Sequence, residues 1–214
     1  MPIPVLWILA GVVIAVSAIK KGFFKKKVFI YGMKATGKTT FHKYCTTGEI
    51  IKEYFQTGTG EFDKKTILDK TKTGWKKWIS RKWTIIDSAG QDYTNRELTE
   101  IRDYIEEADI VLYFFRADEI ANPADRKRVL RTIKANIMQY KQQEISEKLI
   151  LVATHTDLID SFSKKMGVPA WEKEPVLKDV IRLSRKRRIE YVSLIPEQIK
   201  ASTKHILDLI KEKN

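Results

Sequence analysis

The apolar positions of the chain fall into runs of different kinds, and each kind predicts a different element. Residues 2–19 (PIPVLWILAGVVIAVSAI) carry no charge and read as one helix. At 1.5 Å per residue it would rise about 27 Å, close to the roughly 30 Å hydrocarbon thickness of a bilayer. Trp7 near one end, and Phe23 and Phe24 past the other, suit an interfacial aromatic belt. Shorter, near-continuous apolar runs at 28–31, 109–115 (DIVLYFF) and 148–153 (KLILVA) predict buried strands of a parallel sheet covered on both faces. Residues 74–79 (GWKKWI) and 82–87 (KWTIID) predict two strands joined by a tight connection, and 189–193 (IEYVS) a last one. Helices are expected at 39–46, at 94–107, from Pro123 to about Gln143 with Asn122 as cap, from Pro175 to about Arg187, and from Pro196 onward. Residues 48–72, rich in Thr, Gly and Lys without clean periodicity, predict a long mobile loop. Strands alternating with helices make an α/β fold, a six-stranded, mostly parallel, doubly wound sheet flanked by helices, plus one N-terminal transmembrane helix.

Composition adds a location to this pattern. Lys plus Arg number 40 against 27 acids, a net charge of +13 over 214 residues. Much of the excess follows the apolar run directly (Lys20, Lys21, Lys25, Lys26, Lys27). A cleavable signal would carry its basic residues first, so the order here predicts a signal anchor at 1–21, a basic linker at 22–27 and a domain at 28–214. The positive-inside rule puts that domain on the cytoplasmic side of a single-pass membrane protein. The second basic run, Arg182 to Arg188, reads as a solvated helix face attracted to anionic lipid rather than a nucleic-acid site. The single cysteine, Cys45, excludes an internal disulfide and reads as a small buried hydrophobe.

The chemistry lies where strands end. After the run Val28–Tyr31 comes GMKATGKT, in which Gly32, Gly37, Lys38 and Thr39 match G-x-x-x-x-G-K-[ST]. In a strand-to-helix turn, glycines let backbone N–H groups face phosphate oxygens, Lys38 reaches the β- and γ-phosphates, and Thr39 ligates Mg²⁺. Asp87 ends a strand and opens DSAGQ, where a carboxylate can reach Mg²⁺ through water and the Gly90 N–H can bond a γ-phosphate, with Gln91 beside it. The strand 148–153 runs into Thr154-His155-Thr156-Asp157 at the sheet edge where a base would lie. A carboxylate there accepts from the N1–H and exocyclic amine of guanine and repels the N1 acceptor of adenine.

Together these motifs resemble the Ras-like small GTPase superfamily over roughly residues 26–214. GMKATGKT follows the family's first motif, DSAGQ is close to the DTAGQ of Rab and Arf proteins, and THTD corresponds to N/T-K-x-D with His155 in place of the lysine. The resemblance implies a P-loop NTPase domain that binds GTP and GDP through Gly32, Lys34, Ala35, Thr36, Gly37, Lys38, Thr39, Thr40, Gly90, Thr154, His155, Asp157, Ser193 and Leu194. It implies Mg²⁺ on Thr39, Asp87 and a switch threonine: Thr57 is the first choice, nineteen residues after Lys38, with Thr59 and Thr66 behind it. Catalysis is expected from Lys38, Thr57 and Gln91, which orients the attacking water. His155 would stack on the guanine, and the backbone after the last strand, Ser193-Leu194-Ile195, would reach its O6. Lys34 stands where many family members carry a small residue; there it would supply a cation in cis, hinder a partner's arginine, or simply be solvated. Protein effectors and an activating protein are the implied partners, with no nucleic acid. A scaffold that binds GTP with little hydrolysis remains open, as does another phosphate-loop enzyme such as a small-molecule kinase, which would make DSAGQ and THTD coincidences.

Overall fold

The computed structural model describes residues 25–50, 62–68, 82–88, 95–140, 145–159 and 169–212. Its strands are β1 (Lys25–Gly32), β2 (Phe62–Leu68), β3 (Lys82–Ser88), β4 (Ile110–Arg116), β5 (Leu149–Thr154) and β6 (Ile189–Tyr191). Its α-helices are α1 (Lys38–Thr47), α2 (Asn95–Glu107), α3 (Ala117–Ala121), α4 (Pro123–Met138), α5 (Pro175–Leu183) and α6 (Ile199–Lys211). One sheet results, in the order β2-β3-β1-β4-β5-β6.

The continuous apolar runs are explained by burial on both faces. In β4, Val111, Tyr113 and Phe115 point to one side, where α2, α4 and α5 cover them with Ile101, Ile105, Val129, Ile133, Leu177 and Val180. Ile110, Leu112 and Phe114 point to the other, against Phe41 of α1 and Ile206, Leu209 and Ile210 of α6. β1 and β5 divide the same way, so every second residue serves a different core. Side chains satisfy two of the helix ends. The Asn122 side chain accepts from the Ala124 N–H at 3.0 Å, and Pro123 follows at the first turn. The Lys148 ammonium donates to the carbonyls of Ile105 and Glu106, at 2.8 and 3.0 Å, at the negative end of α2.

The expected fold needs several corrections. The all-parallel part of the sheet has five strands, β3-β1-β4-β5-β6, and the edge partner β2 is antiparallel to β3. That edge strand is 62–68, inside the stretch expected to be loop; the expected strand 74–79 lies outside the described residues. FDKKTIL has no strong alternation, and its two lysines suit an edge where further pairing is to be discouraged. The transmembrane helix is not supported either. No helix among the described residues is long and apolar enough to cross a membrane. The longest of them, α4, has 16 residues against the roughly 20 needed, and one face of it packs on the sheet while the rest is charged. Residues 2–19 lie outside the described residues. The single-pass localisation rested on that helix and is likewise not supported by the described residues. Finally, α5 stops at Leu183 because the Arg185 N–H leaves to bond the Leu149 carbonyl at 2.8 Å, and α6 begins at Ile199 after a turn closed on the Ile195 carbonyl.

Candidate functional site

The predicted site residues that the structure describes gather at the carboxyl ends of the parallel strands, the edge where open α/β sheets bind ligands. β1 delivers the phosphate-type loop. Gly32 has φ 137°, and a Cβ there would stand 2.1 Å from the Phe114 carbonyl oxygen of β4. The Met33 N–H donates to that same oxygen at 3.0 Å, so the loop leaves the sheet in direct contact with its neighbour. Ala35 (φ 56°) and Gly37 (φ 79°) are both left-handed. Left-handed residues in such a turn bring backbone N–H groups to one side, forming an anion-binding concavity at the start of α1. The Thr36 hydroxyl closes the turn on the Met33 carbonyl at 2.9 Å.

Lys38, 4% exposed, folds back over this loop. Its ammonium donates to the Met33 carbonyl at 2.7 Å and the Gly32 carbonyl at 3.3 Å. Burial pulls its pKa from 10.5 down to about 8, with the Asp87 carboxylate acting in the opposite direction. Next to it, the Thr39 hydroxyl donates to Asp87 Oδ2 at 2.8 Å. Asp87 is 4% exposed. Among the described residues no three His, Cys, Asp or Glu side chains cluster as a metal-binding group. The Thr39–Asp87 pair is a smaller set of two hard oxygens, the kind that suits a cation whose remaining ligands are phosphate and water.

The other half of the site comes from β5 and β6. Thr154 is fully buried and its hydroxyl lies 3.0 Å from the Thr36 carbonyl, 3.2 Å from the Phe115 carbonyl and 2.9 Å from His155 Nδ1. A hydroxyl has one proton to give. Two of its three neighbours are acceptors only, so the pattern assigns the imidazole proton to Nδ1, donating to Thr154. His155 itself is left-handed (φ 59°) and starts the 3₁₀ turn Thr156–Leu158. Burial, then the nearby Arg116, lower its pKa below the usual value, against the pull of Asp118, Asp157 and Glu119. The ring is therefore neutral at pH 7. The exposed Asp157 takes a 2.6 Å hydrogen bond from the Ser193 hydroxyl, and the Ser202 hydroxyl holds the Ser193 carbonyl at 2.6 Å.

A cleft of about 170 Å³ joins the two halves. Ala35, Gly37 and Thr40 form its loop side, His155 and Asp157 its strand side, and Leu194 and Ile195 its third wall. Leu194 presses on the loop so closely that a Cβ on Gly37 would meet its Cδ1 at 2.7 Å. Lys34 is exposed.

Several expected residues are not among these. Thr57, Thr59, Gly90 and Gln91 lie outside the described residues. Thr66 sits within β2, opposite Thr84. Its backbone is three residues from the Asp87 level, about 10 Å along the strand. Sequence reasoning named Ser193-Leu194-Ile195 only for their backbone; it missed the Ser193 hydroxyl as the support of Asp157, and Arg116 with Asp118 and Glu119 beside His155. Arg116 had a signal: it is the charged residue that ends β4 after a wholly buried run, at the edge where sites form. No protein-family model matches the sequence, and no curated protein is significantly similar to it.

Proposed function

We propose that the chain is a GTP-binding protein of the Ras-like kind that hydrolyses GTP to GDP and phosphate and acts as a nucleotide-dependent switch. One observation carries this reading: a single cleft connects the glycine-rich loop to an exposed carboxylate held by a buried serine. A purine entering past Leu194 and Ile195 meets Asp157 as acceptor and the uncharged His155 ring as a flat face. Its phosphates then fall to the left-handed loop and Lys38. Thr39 and Asp87 fit Mg²⁺ and would hold it; when bound, the ion neutralises charge on the β- and γ-phosphate oxygens. Lys38 and the loop N–H groups stabilise phosphate charge, and Gln91 supplies the water-orienting side chain by resemblance. Effector proteins and an activating protein are the partners such a switch implies.

Base choice tests the reading first. A bound fluorescent GDP analogue should be displaced by GDP and GTP and not by ATP; displacement by ATP at similar concentration sinks it. In Asp157→Asn, two charge-assisted hydrogen bonds to guanine are weakened or lost. Guanine nucleotide affinity should fall about a hundredfold, while xanthine nucleotides, whose 2-oxygen accepts from an amide N–H, gain relative to guanine. Phosphate release by the parent and by Gln91→Leu then separates a hydrolysing switch from a GTP-bound scaffold.

Lys34 adds a second prediction. It is exposed and is the one charged side chain among the four variable positions of the loop. As a cation in cis, it should make single-turnover GTP hydrolysis about ten- to a hundredfold faster than in Lys34→Ala, short of the 10³–10⁵ that a fitted arginine provides. If instead it hinders a partner's arginine, the alanine variant gains only in the partner's presence. Unchanged rates in both settings rule out both roles.

A further inference from the structure

Arg116 pairs in register with Thr154 across β4 and β5, and Thr154 passes directly into His155. The last side chain of β4 therefore stands beside the base-side turn. It is gripped from α3: Nη2 donates to Asp118 Oδ2 at 2.6 Å, Nε to Asp118 Oδ1 at 3.1 Å, and Glu119 Oε1 lies 3.4 Å from Nε. Two parallel bonds to a planar guanidinium set its orientation as well as its position. The three side chains are only 23, 18 and 24% exposed, so solvent weakens their fields less than at an open surface. Arg128 of α4 holds Glu119 from the far side at 3.0 Å and is itself 57% exposed.

The charged groups around the His155 ring are thus Arg116 from β4, Asp118 and Glu119 from α3, and Asp157 from its own turn. Ser193, which supports Asp157 from the β6 side, carries no charge. We propose that Arg116 is a positioning residue for base recognition, a clamped cation that offsets Asp118 and Glu119 beside His155 and so reserves the Asp157 carboxylate for the purine. The proposal rests on the guanine-nucleotide reading above. Without Arg116, three carboxylates face an imidazole whose Nδ1 already carries a proton. Nε2 then takes up a second proton at a higher pH. The resulting imidazolium attracts Asp157 and competes with the N1–H and amine of guanine for it. Affinity would consequently fall with falling pH across the neutral range, where the parent, its ring uncharged, is flat.

The test is a titration of the full chain with a fluorescent GDP analogue between pH 6 and 7.5, below the range in which Lys38 loses its proton. Four proteins are compared: the parent, Arg116→Gln, Arg116→Lys, and Arg116→Gln combined with His155→Phe. The parent's Kd should vary less than about threefold. Arg116→Gln should bind nearly as well as the parent at pH 7.5 and lose about tenfold by pH 6, one protonation in the path of binding. Arg116→Lys, which keeps the charge, should restore most of the flat profile, and the double variant should be flat because nothing is left to protonate. Arg116→Met, which retains the packed stem, replaces the glutamine variant if that one folds poorly. A variant profile parallel to the parent's overturns the proposal whatever its absolute affinity, since a purely structural role weakens binding equally at every pH. A pH-dependent loss that persists in the double variant also overturns it. Failure of the guanine reading looks different: the parent would bind no GDP at any pH, and both ideas would fall together.

Discussion

Lys38→Met is expected to cripple nucleotide binding and, at the same time, to make the unliganded protein more stable. Lys38 is 4% exposed, and its charge is carried at a cost that two loop carbonyls and Asp87 only partly offset. The sign follows from the shift. A cation whose folded pKa of about 8 lies below its ordinary 10.5 binds fewer protons folded than unfolded between those values. Stability therefore rises with pH through that window, and the penalty is in full force below pH 8. At about 1.4 kcal/mol per pKa unit the penalty is on the order of 3 kcal/mol. Methionine keeps most of the volume and the apolar stem without the charge. Allowing for the lost bonds to Gly32 and Met33, a net gain of about 1–2 kcal/mol at pH 7 is expected, with Tm rising about 2–4 °C per kcal/mol. The gain over the parent should shrink as the pH is raised from 8 to 10.5. Nucleotide affinity should fall at least about a hundredfold, because a charge-assisted contact to phosphate is lost. An arriving phosphate favours the charged lysine, so the parent should also take up a fraction of a proton on binding near pH 8.5. Calorimetry in buffers of different ionisation enthalpy reads that uptake. A destabilised Lys38→Met, or one that binds nucleotide normally, contradicts this account of the site.

Gly32→Ala should leave little folded protein. The new methyl would stand 2.1, 2.7 and 2.9 Å from the carbonyl oxygen, nitrogen and carbonyl carbon of Phe114, all backbone atoms of a central strand. No side chain can swing aside, and φ 137° is itself strained for alanine. Relief requires separating β1 from β4 where the Met33–Phe114 hydrogen bond joins them. A loss above about 4 kcal/mol is expected, a large part of the 5–15 kcal/mol typical of a domain. Gly48 supplies the control. It is also left-handed, at φ 77°, but nothing lies within 4 Å of an added Cβ, so Gly48→Ala should cost only the backbone strain of about 1–2 kcal/mol. Urea unfolding of the two variants should separate them clearly; similar midpoints would mean that the close approach of loop and strand is not a constraint.

The core strands and the loop were legible because their signals are local. Val28 to Tyr31, Ile110 to Phe115 and Leu149 to Ala153 are continuous apolar runs, and only a sheet covered on both faces buries every residue of such a run. The spacing of Gly32, Gly37 and Lys38 likewise reflects a turn whose φ values and close approaches are set within a few residues. The edge of the sheet was not legible. Phe62–Leu68 becomes a strand because β3 offers it a ladder, and a pairing partner fourteen or more residues away leaves little trace in FDKKTIL. Residues 2–19, where hydropathy alone suggested a membrane span, lie outside the described residues, and no described helix is long and apolar enough to cross a membrane.

By itself, then, the chain's pattern of residues determined the central parallel strands, their doubly covered sheet and the geometry of the loop after β1, all consequences of backbone sterics and burial over short stretches. Tertiary structure alone decided what that loop faces. It brought the Thr154 hydroxyl to the Thr36 carbonyl, 118 positions apart, set Ser193 against Asp157 across 36, and placed the gripped Arg116 beside His155. Each contact joins groups carried by different elements. Their distances depend on strand order and register, which arise only when the whole sheet closes on its two cores.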